Sequence, residues 1–235
     1  MWPFSTQRTL ADSGLFNGFT DCHCHILPGV DDGVETLDES LAILSRYEQL
    51  SIKEVWLTPH IMEDMPNTTA SLRQRFAELT AAYHGTITLH LSAENMLDSL
   101  FCERFRSGDL LPWGNRADRL LVETSYYHAP VNFHELLHGI KAKGYFPILA
   151  HPERYRYMSL TDYQALKKQG IEFQLNLFSL LGLYGDTAKN KATTLLKHGL
   201  YNYIATDLHA LDTLNSTLQH KINTNTITTI STLYN

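Results

Sequence analysis

The chain has 235 residues, of which 43% are hydrophobic and 19% are charged, and its formal net charge is −6. This composition excludes a disordered acidic protein and a collagen-like one. The negative balance argues against a surface that binds nucleic acid through phosphate contacts. No run of about 18 apolar residues is present, so we expect no membrane-spanning segment. The three cysteines cannot form a disulfide framework, and no secretory signal is recognisable, which predicts a cytoplasmic protein.

Short apolar runs alternate with helical patterns along the chain. Residues 1–18 are interpreted as a polar N-terminal arm, and residues 19–235 as one domain. The predicted strands are Phe19–His25, Lys53–Thr58, Thr86–Ala93, Arg119–Glu123, Phe146–Ala150, Ile171–Leu175 and Asn202–Ala205. The predicted helices are Leu37–Leu50, Thr69–His84, Met96–Arg106, Asn132–Lys143, Thr161–Gln169 and Thr187–His198. This alternation is typical of an α/β fold with a parallel sheet, and seven units without a linker predict a closed or nearly closed barrel. The tail from Ile222 is compatible with a terminal helix or a frayed end.

The first predicted strand contains a His-x-His pair within Asp21-Cys22-His23-Cys24-His25. Because side chains alternate along a strand, the two histidines share one face with Asp21, and the cysteines occupy the other face. Two imidazoles at this spacing can reach a common metal ion, although such a pair alone is equally compatible with a structural role. Asp21 is a candidate for orienting one imidazole through its second nitrogen.

Further candidate ligands follow the later strands. These side chains are His60, Glu94, Glu123, His151, Asp207 and His209. In a barrel of parallel strands the carboxyl ends converge on one face, where active sites of this architecture form. A mixed set of imidazoles and carboxylates suits Zn, Mn or Fe, whereas structural zinc usually relies on cysteine-rich sites. The sequence therefore predicts a catalytic metal centre at this face.

Several motifs together resemble a known protein superfamily. They are DCHCHILPGVDDG, LTPH, SAEN, LVETS, AHPERY and TDLHA, in this order between residues 19 and 210. The set is similar to the polymerase-and-histidinol-phosphatase (PHP) superfamily. More narrowly, it resembles the manganese-dependent tyrosine-protein phosphatases encoded with bacterial capsule and exopolysaccharide genes. This resemblance implies a distorted (βα)7 TIM-like barrel that holds three divalent metal ions, expected to be Mn²⁺ with Fe or Zn as alternatives.

The resemblance also implies which residues bind each ion. The implied ligands are His23, His25, Glu94 and Asp207 for the first ion, Glu94, Glu123 and His151 for the second, and Asp32, His60 and His209 for the third. Asp31 is an alternative to Asp32, because both residues stand in the loop GVDDG and the register of a loop cannot be derived from spacing.

Arg154 in the HPER motif matches an arginine that contacts phosphate in the resembled family. Relatives often carry a second arginine in an Asn-Leu-Asp-Ser-Arg run after the final DxH motif. Here the corresponding residues are Ala210-Leu211-Asp212-Thr213-Leu214, so that arginine is missing. His209 or a carboxylate is a candidate for protonating the leaving oxygen. His128, a few residues after a strand, either lines the substrate entrance or replaces a ligand.

The function implied by the resemblance is metal-dependent hydrolysis of a phosphate monoester, without a covalent enzyme intermediate. The expected substrate is a phosphotyrosine protein, such as the tail of a bacterial tyrosine kinase that regulates capsule or exopolysaccharide synthesis. The alternatives are a small-molecule phosphatase of the histidinol-phosphate type, a metal-dependent phosphodiesterase or exonuclease, and a non-catalytic regulatory module. The acidic composition opposes the nuclease, and no nucleic-acid partner is expected. An oligomer is left open.

Overall fold

Parallel strands and intervening helices make up most of residues 7–233, the part of the chain that the computed structural model describes. The strands are β1 (Gln7–Thr9), β2 (Thr20–Cys24), β3 (Glu54–Leu57), β4 (His60–Ile61), β5 (Thr88–Leu91), β6 (Glu94–Met96), β7 (Arg119–Glu123), β8 (Phe146–Ala150), β9 (Glu172–Asn176), β10 (Tyr203–Ala205) and β11 (Lys221–Asn223). The helices are α1 (Leu37–Gln49), α2 (Thr69–Ala82), α3 (Ser99–Ser107), α4 (Phe133–Ala142), α5 (Leu160–Lys168), α6 (Leu177–Leu181), α7 (Gly185–Lys197), α8 (Leu211–Thr217) and α9 (Thr224–Ile230). Among these described helices, none has the length and apolar character needed to cross a bilayer.

The parallel strands follow one another around a ring. Hydrogen bonding runs β2–β3–β5 in one sheet and β4–β6–β7–β8–β9–β10 in the other. β4 continues β3 after a two-residue break, and β6 continues β5 in the same way. The ring closes between β2 and β10, where the Asp207 N–H donates to the His23 carbonyl (2.9 Å) and the His25 N–H donates to the Leu208 carbonyl (2.8 Å). The predicted α/β barrel class is confirmed, and the two interrupted strands are its distortion.

Strand alternation separates the outer apolar layer from the barrel interior. On β7, Leu120 and Val122 belong to the main hydrophobic core, which lies between the strands and the helices. Leu121 points the other way and packs with Ile148 and Ala150 in a smaller cluster. Because side chains alternate with a period of two, the same inner face continues toward the carboxyl ends of the strands. The barrel interior is therefore apolar near the middle of the strands and polar at their carboxyl ends.

The region after β5 differs from the prediction. The sequence pattern predicts a strand over Thr86–Ala93 and a helix from Met96, whereas Met96 is the last residue of β6. α3 begins three residues later because Asp98 caps it, its Oδ1 accepting a hydrogen bond from the Phe101 N–H at 2.8 Å. The sequence pattern does not reveal β6, because its three residues are too few to show a period of two.

Both ends of the described chain pack together. β1 pairs antiparallel with β11, and β11 leads directly into α9, so much of the tail that the sequence left open is ordered as a strand and a helix. In the predicted N-terminal arm, Leu10, Leu15 and Phe16 are buried in the main core. Residues 1–6 of that arm and residues 234–235 of the tail lie outside the described residues.

Asp21 has a different role from the one predicted. Its carboxylate accepts hydrogen bonds from the Thr206 N–H (2.9 Å), the Thr206 hydroxyl (2.6 Å) and the Tyr47 hydroxyl (2.8 Å). The pairing of β2 with β3 shifts register between Asp21 and Cys24, which interrupts the simple alternation of the strand. The expectation that Asp21 orients an imidazole is therefore wrong, since it links β2 to the segment after β10 and to α1.

Replacing Asp21 with alanine is expected to lower the free energy of unfolding by about 3 kcal/mol, because three buried donors lose their acceptor. Chemical denaturation measures this change. Asp12→Ala, at an exposed aspartate, is the matched control and should cost less than about 1 kcal/mol. The affinity of the folded Asp21→Ala variant for Mn²⁺ should stay close to that of the unaltered protein. A loss of affinity at unchanged stability would contradict the structural role.

Candidate metal centre

The candidate ligands come together at the carboxyl ends of the parallel strands. Their nitrogen and oxygen atoms form four groups in which all ligand atoms lie within 4.8 Å of one another. The grouped residues are His23, His25, Asp32, His60, Glu94, Glu123, His151, Asp207 and His209. Side chains from β2, β4, β6, β7 and the loops after β2, β8 and β10 therefore share one site.

Glu94 lies at the centre of this cluster and is fully buried. Its Oε2 atom is 3.3 Å from His23 Nε2, 3.4 Å from His25 Nε2 and 3.1 Å from His60 Nδ1. Its Oε1 atom is 2.8 Å from His151 Nε2. A carboxylate whose two oxygens face different imidazoles is placed to bridge two cations.

His23 in β2 and His25, directly after β2, face each other across a gap suited to a cation. Their Nε2 atoms are 3.0 Å apart, and Asp207 Oδ1 lies 3.4 Å from His23 Nε2 and 3.3 Å from His25 Nε2. All three side chains are buried. Two imidazole nitrogens and a carboxylate oxygen form a donor set that binds Mn, Fe or Zn.

The outer nitrogens of the same two rings have their own acceptors. His23 Nδ1 lies 2.9 Å from Gln174 Oε1, and His25 Nδ1 lies 2.8 Å from Asp31 Oδ2. An acceptor on Nδ1 places the proton there and leaves the Nε2 lone pair directed into the cluster. Asp31 also accepts a hydrogen bond from the His60 N–H at 3.0 Å.

The structure distinguishes the two aspartates of the GVDDG loop. Asp31 lies behind His25, whereas Asp32 Oδ1 lies 3.5 Å from His60 Nε2 and 3.5 Å from His209 Nε2. The hydrogen bond with His209 is the largest influence on Asp32 and helps lower its pKa to about 2. The geometry therefore places Asp32, and not Asp31, among the candidate ligand atoms.

Glu123 lies between the imidazoles of His60 and His151. Its Oε1 is 3.0 Å from His60 Nδ1, and its Oε2 is 3.8 Å from His151 Nε2. His60 Nδ1, Glu94 Oε2 and Glu123 Oε1 are buried and make no hydrogen bond. Because buried polar atoms are nearly always satisfied, three such atoms converging on one place fit a bound cation. Glu123 approaches His60 more closely than His151, a pairing that the sequence did not predict.

The charges in the cluster stabilise one another. Burial by itself raises the pKa values of Glu94 and Asp207, but the surrounding imidazoles outweigh burial and hold both pKa values well below the usual range. Burial lowers the pKa of His23, yet Glu94 and Asp207 raise that pKa to about 9. The carboxylates therefore stay ionised at neutral pH, as metal coordination requires, whereas His23 releases its second proton when it binds a metal ion.

The backbone around the site is held in conformations that need special residues. A Cβ atom on Gly33 would lie 1.9 Å from the His25 carbonyl oxygen, so only glycine fits at the end of the GVDDG loop. His151 and Asp207 have φ values of +32° and +53°, which non-glycine residues rarely adopt. Such strain concentrates at functional sites, where the surrounding structure maintains it.

Arg154 projects beside the cluster. Its guanidinium donates to Asp207 Oδ2 at 3.1 Å, and its central carbon lies 4.2 Å from the Tyr126 ring centroid and 4.3 Å from that of Tyr184. Asn176 also donates to Asp207 Oδ2, at 2.8 Å. The arginine is thus clamped between two aromatic rings with its planar face fixed.

A cavity of about 320 Å³ opens onto these side chains, and we call it the metal pocket. Its walls are formed by Asp32, His60, Tyr126, His151, Arg154, Leu183, Tyr184, Asp207, His209 and Thr213. The metal pocket brings Arg154 and His209 together with ligand candidates, as the sequence predicted for a phosphate site. His128 is exposed and belongs to none of the four ligand groups formed by the described residues.

Sequence reasoning missed three residues of the site. Gln174 and Asn176 point into the barrel from β9, where Phe173 and Leu175 pack in the outer core. Two buried amides at i and i+2 in an apolar strand are a signal that could have revealed them. Tyr184, just before α7, has no comparable signal, since its position depends on how α7 packs against the barrel.

Comparison with known proteins places the chain among capsule-synthesis proteins. The model of the family described as "Capsular polysaccharide synthesis, CpsB/CapC" matches residues 19–228. The chain is 28% identical over 202 residues to the tyrosine-protein phosphatase YwqE of Bacillus subtilis, covering 83% of this chain and 79% of the relative. It is 27% identical over 213 residues to the tyrosine-protein phosphatase CpsB of Streptococcus agalactiae serotype III, covering 82% of this chain and 83% of the relative.

A solved structure supports the same relationship. It is described as one of the crystal structures of YwqE from Bacillus subtilis and CpsB from Streptococcus pneumoniae, unique metal-dependent tyrosine phosphatases. The TM-score is 0.76 at 26% sequence identity, and the match covers 83% of this chain and 81% of the other. These findings confirm the resemblance that the motifs indicated.

Replacing Gln174 with alanine is expected to weaken Mn²⁺ binding by about 10- to 100-fold, because His23 loses the acceptor that fixes its proton and ring orientation. Calorimetric titration measures the affinity, at a temperature where circular dichroism shows that the variant is folded. Gln74→Ala, on the exposed face of α2, is the control and should bind like the unaltered protein. Equal affinities for the two variants would remove Gln174 from the site.

Proposed function

The chain belongs to the CpsB/CapC family of capsular polysaccharide synthesis, and from this premise we propose that it is a metal-dependent protein-tyrosine phosphatase. The observation that carries the proposal is the metal pocket. There, a buried cluster of imidazoles and carboxylates lies beside Arg154, an arginine fixed for binding an anion. A phosphate ester is the substrate class that needs both elements.

We propose that the cluster holds three divalent ions, with Mn²⁺ as the physiological ion. The ligands would be His23, His25, Glu94 and Asp207 for the first ion, Glu94, Glu123 and His151 for the second, and Asp32, His60 and His209 for the third. When bound, such ions neutralise phosphate oxygens and lower the pKa of water, so that hydroxide is available at neutral pH. The central position of Glu94, with Oε2 facing His23 and His25 and Oε1 facing His151, supports the first two assignments.

Arg154 binds the phosphate in this proposal. A guanidinium offers two parallel donors to two phosphate oxygens, a geometry that a lysine ammonium cannot reproduce. The rings of Tyr126 and Tyr184 hold its plane before substrate arrives, which reduces the ordering that binding requires. Because Leu214 stands where relatives often have the second arginine, phosphate recognition by arginine depends on Arg154.

His209 is placed to hold the proton that the leaving oxygen needs. Its Nδ1 lies 2.9 Å from the Asp207 carbonyl oxygen, and its Nε2 faces Asp32 in the metal pocket. The side chain is 30% exposed, so it can be reached from the metal pocket. We propose two alternative roles for His209 Nε2, coordination of the third ion or donation of a proton to the leaving oxygen, because one nitrogen cannot do both.

The thiols have no place in this chemistry. Burial raises the pKa values of Cys22 and Cys24 well above the ordinary value, which keeps both thiols protonated. Residues six positions after the cysteines are Pro28, Val30 and Gly108, so the thiolate-and-arginine loop of other tyrosine phosphatases has no counterpart. The mechanism is therefore direct hydrolysis.

The proposed substrate is the phosphotyrosine-bearing tail of a bacterial tyrosine kinase that regulates capsule or exopolysaccharide synthesis. The names of the relatives support phosphotyrosine as the substrate, and the family description supports a place in polysaccharide synthesis. We propose a cytoplasmic location because kinase tails of this kind and free cysteines belong to the reducing compartment. Association into an oligomer is compatible with this function.

A Cys22→Ser, Cys24→Ser, Cys102→Ser variant is expected to hydrolyse a phosphotyrosine peptide in the presence of Mn²⁺. Removing metal with a chelator should abolish turnover by both the variant and the unaltered protein, and added Mn²⁺ should restore it. Phosphate release measures the activity, and metal analysis confirms loading. Loss of turnover in a folded, metal-loaded triple variant would refute the proposed mechanism. Turnover of small phosphate esters alone would favour the histidinol-phosphate type of substrate.

Arg154→Lys is expected to reduce kcat/KM for a phosphotyrosine peptide by about 100-fold, because one donor to the charged transition state is lost. The metal content should stay unchanged, since Arg154 is not a proposed ligand. Arg73→Lys, on the exposed face of α2, is the matched control. Identical kinetics for the two variants would remove Arg154 from the phosphate site.

A further inference from the structure

A second cavity opens beside the metal pocket. It has a volume of about 320 Å³ and shares Tyr126, Arg154 and Tyr184 with the metal pocket as a common wall. Its other walls come from Tyr127 and Arg156 on one side and from the first turn of α7 on the other. We call this cavity the flank groove. A substrate that reaches the metal pocket with one side chain therefore lies within reach of the flank groove with its neighbours.

Two cationic side chains in the flank groove have no carboxylate partner among the described residues. Arg156 is exposed, and its guanidinium lies 4.8 Å from the Tyr127 ring centroid. Lys191 donates to the carbonyl oxygens of Tyr155 and Met158. Burial lowers its pKa, and the negative charge of Glu153 acts in the opposite direction. On a chain with a net charge of −6, the exposed Arg156 is therefore a local positive charge beside the active site that no ion pair within the described residues neutralises.

The acidic groups of the flank groove differ in their accessibility. Glu153 is 1% exposed and accepts hydrogen bonds from the Asn176 N–H (3.0 Å) and the Tyr201 hydroxyl (2.9 Å), so a ligand does not meet it. Asp186, in the first turn of α7, is exposed. Its carboxylate repels a negatively charged ligand, so removing this charge gives a second test of the electrostatic argument.

From this geometry we propose that the flank groove binds acidic residues that flank the phosphotyrosine of a peptide substrate. The inference rests on the proposed function, since the phosphotyrosine occupies the metal pocket. The shared wall supplies continuity, because neighbouring residues of an extended peptide are only about 3.5 Å apart along the chain. The exposed guanidinium of Arg156 supplies the charge complementarity, and the 65% exposed ring of Tyr127 supplies an apolar surface.

The rest of the surface makes this local charge important. An acidic peptide is repelled by a protein with a net charge of −6, which slows its encounter with the active site. Cations beside the entrance offset that repulsion where the peptide docks. The flank groove therefore selects among phosphotyrosine sequences, while the metal pocket performs the same reaction on all of them.

The test compares two phosphotyrosine peptides of equal length, one with glutamate residues on both sides of the phosphotyrosine and one with glutamine residues instead. The measured quantity is the ratio of kcat/KM for the acidic peptide to kcat/KM for the neutral one, with Mn²⁺-loaded protein. Arg156→Glu is expected to lower this ratio roughly fivefold, because attraction becomes repulsion. Asp186→Asn should raise the ratio. The preference of the unaltered protein should weaken with added salt.

Arg73→Glu provides the matched control, since it makes the same charge change on the exposed face of α2. Equal ratios for Arg156→Glu and Arg73→Glu would overturn the proposal, as would an unaltered protein without any preference. Should Arg156→Glu fail to fold by circular dichroism, Arg156→Gln carries the same comparison with a smaller expected change. p-Nitrophenyl phosphate is assayed in parallel. Absence of its turnover would overturn the proposed function, whereas turnover with unchanged peptide ratios would overturn the flank groove alone.

Discussion

The structure depends on the close packing of carboxylates and imidazoles at the carboxyl ends of the barrel strands, where most of these side chains are buried. Glu94 alone has three imidazole nitrogens within 3.4 Å of one oxygen and a fourth within 2.8 Å of the other. Such a cluster is stable only when its charges compensate one another and its unpaired atoms find a cation. The neighbouring residues keep the cluster in this arrangement. Gln174 and Asp31 fix the outer nitrogens of two rings, and Gly33 lets the loop approach His25.

The barrel makes the cluster possible by separating polar from apolar faces with a period of two. Leu120 and Val122 stabilise the outer layer of β7, while Leu121 and then Glu123 face inward. The breaks after β3 and β5 start new short strands with His60 and Glu94, and the pairing of β4 with β6 places these two residues side by side. The distortion of the ring is therefore what brings the central carboxylate to the metal centre.

Recognition of the substrate is distributed over elements that are distant in the sequence. Arg154 follows β8, and the two rings that clamp it come from the loop after β7 and from the start of α7. The same three side chains form the wall between the metal pocket and the flank groove. One arginine held in this way offsets the absence of a second arginine after the DxH motif. The wall between the two cavities therefore contributes both to catalysis and to the selection of the peptide.

The sequence by itself determined the α/β class, the positions of the main strands and the set of candidate ligands. Local periodicity and the motifs at strand ends indicate each of these features. It also identified Arg154, which lies in the specific motif HPER. It did not determine which aspartate of GVDDG faces the cluster, the pairing of Glu123 with His60, or the role of Asp21. These depend on a register shift in β2 and on loop conformation, which have no sequence period. Tyr184 also required the tertiary structure, since its position depends on how α7 packs against the barrel, whereas two amides at i and i+2 in an apolar strand could have revealed Gln174 and Asn176.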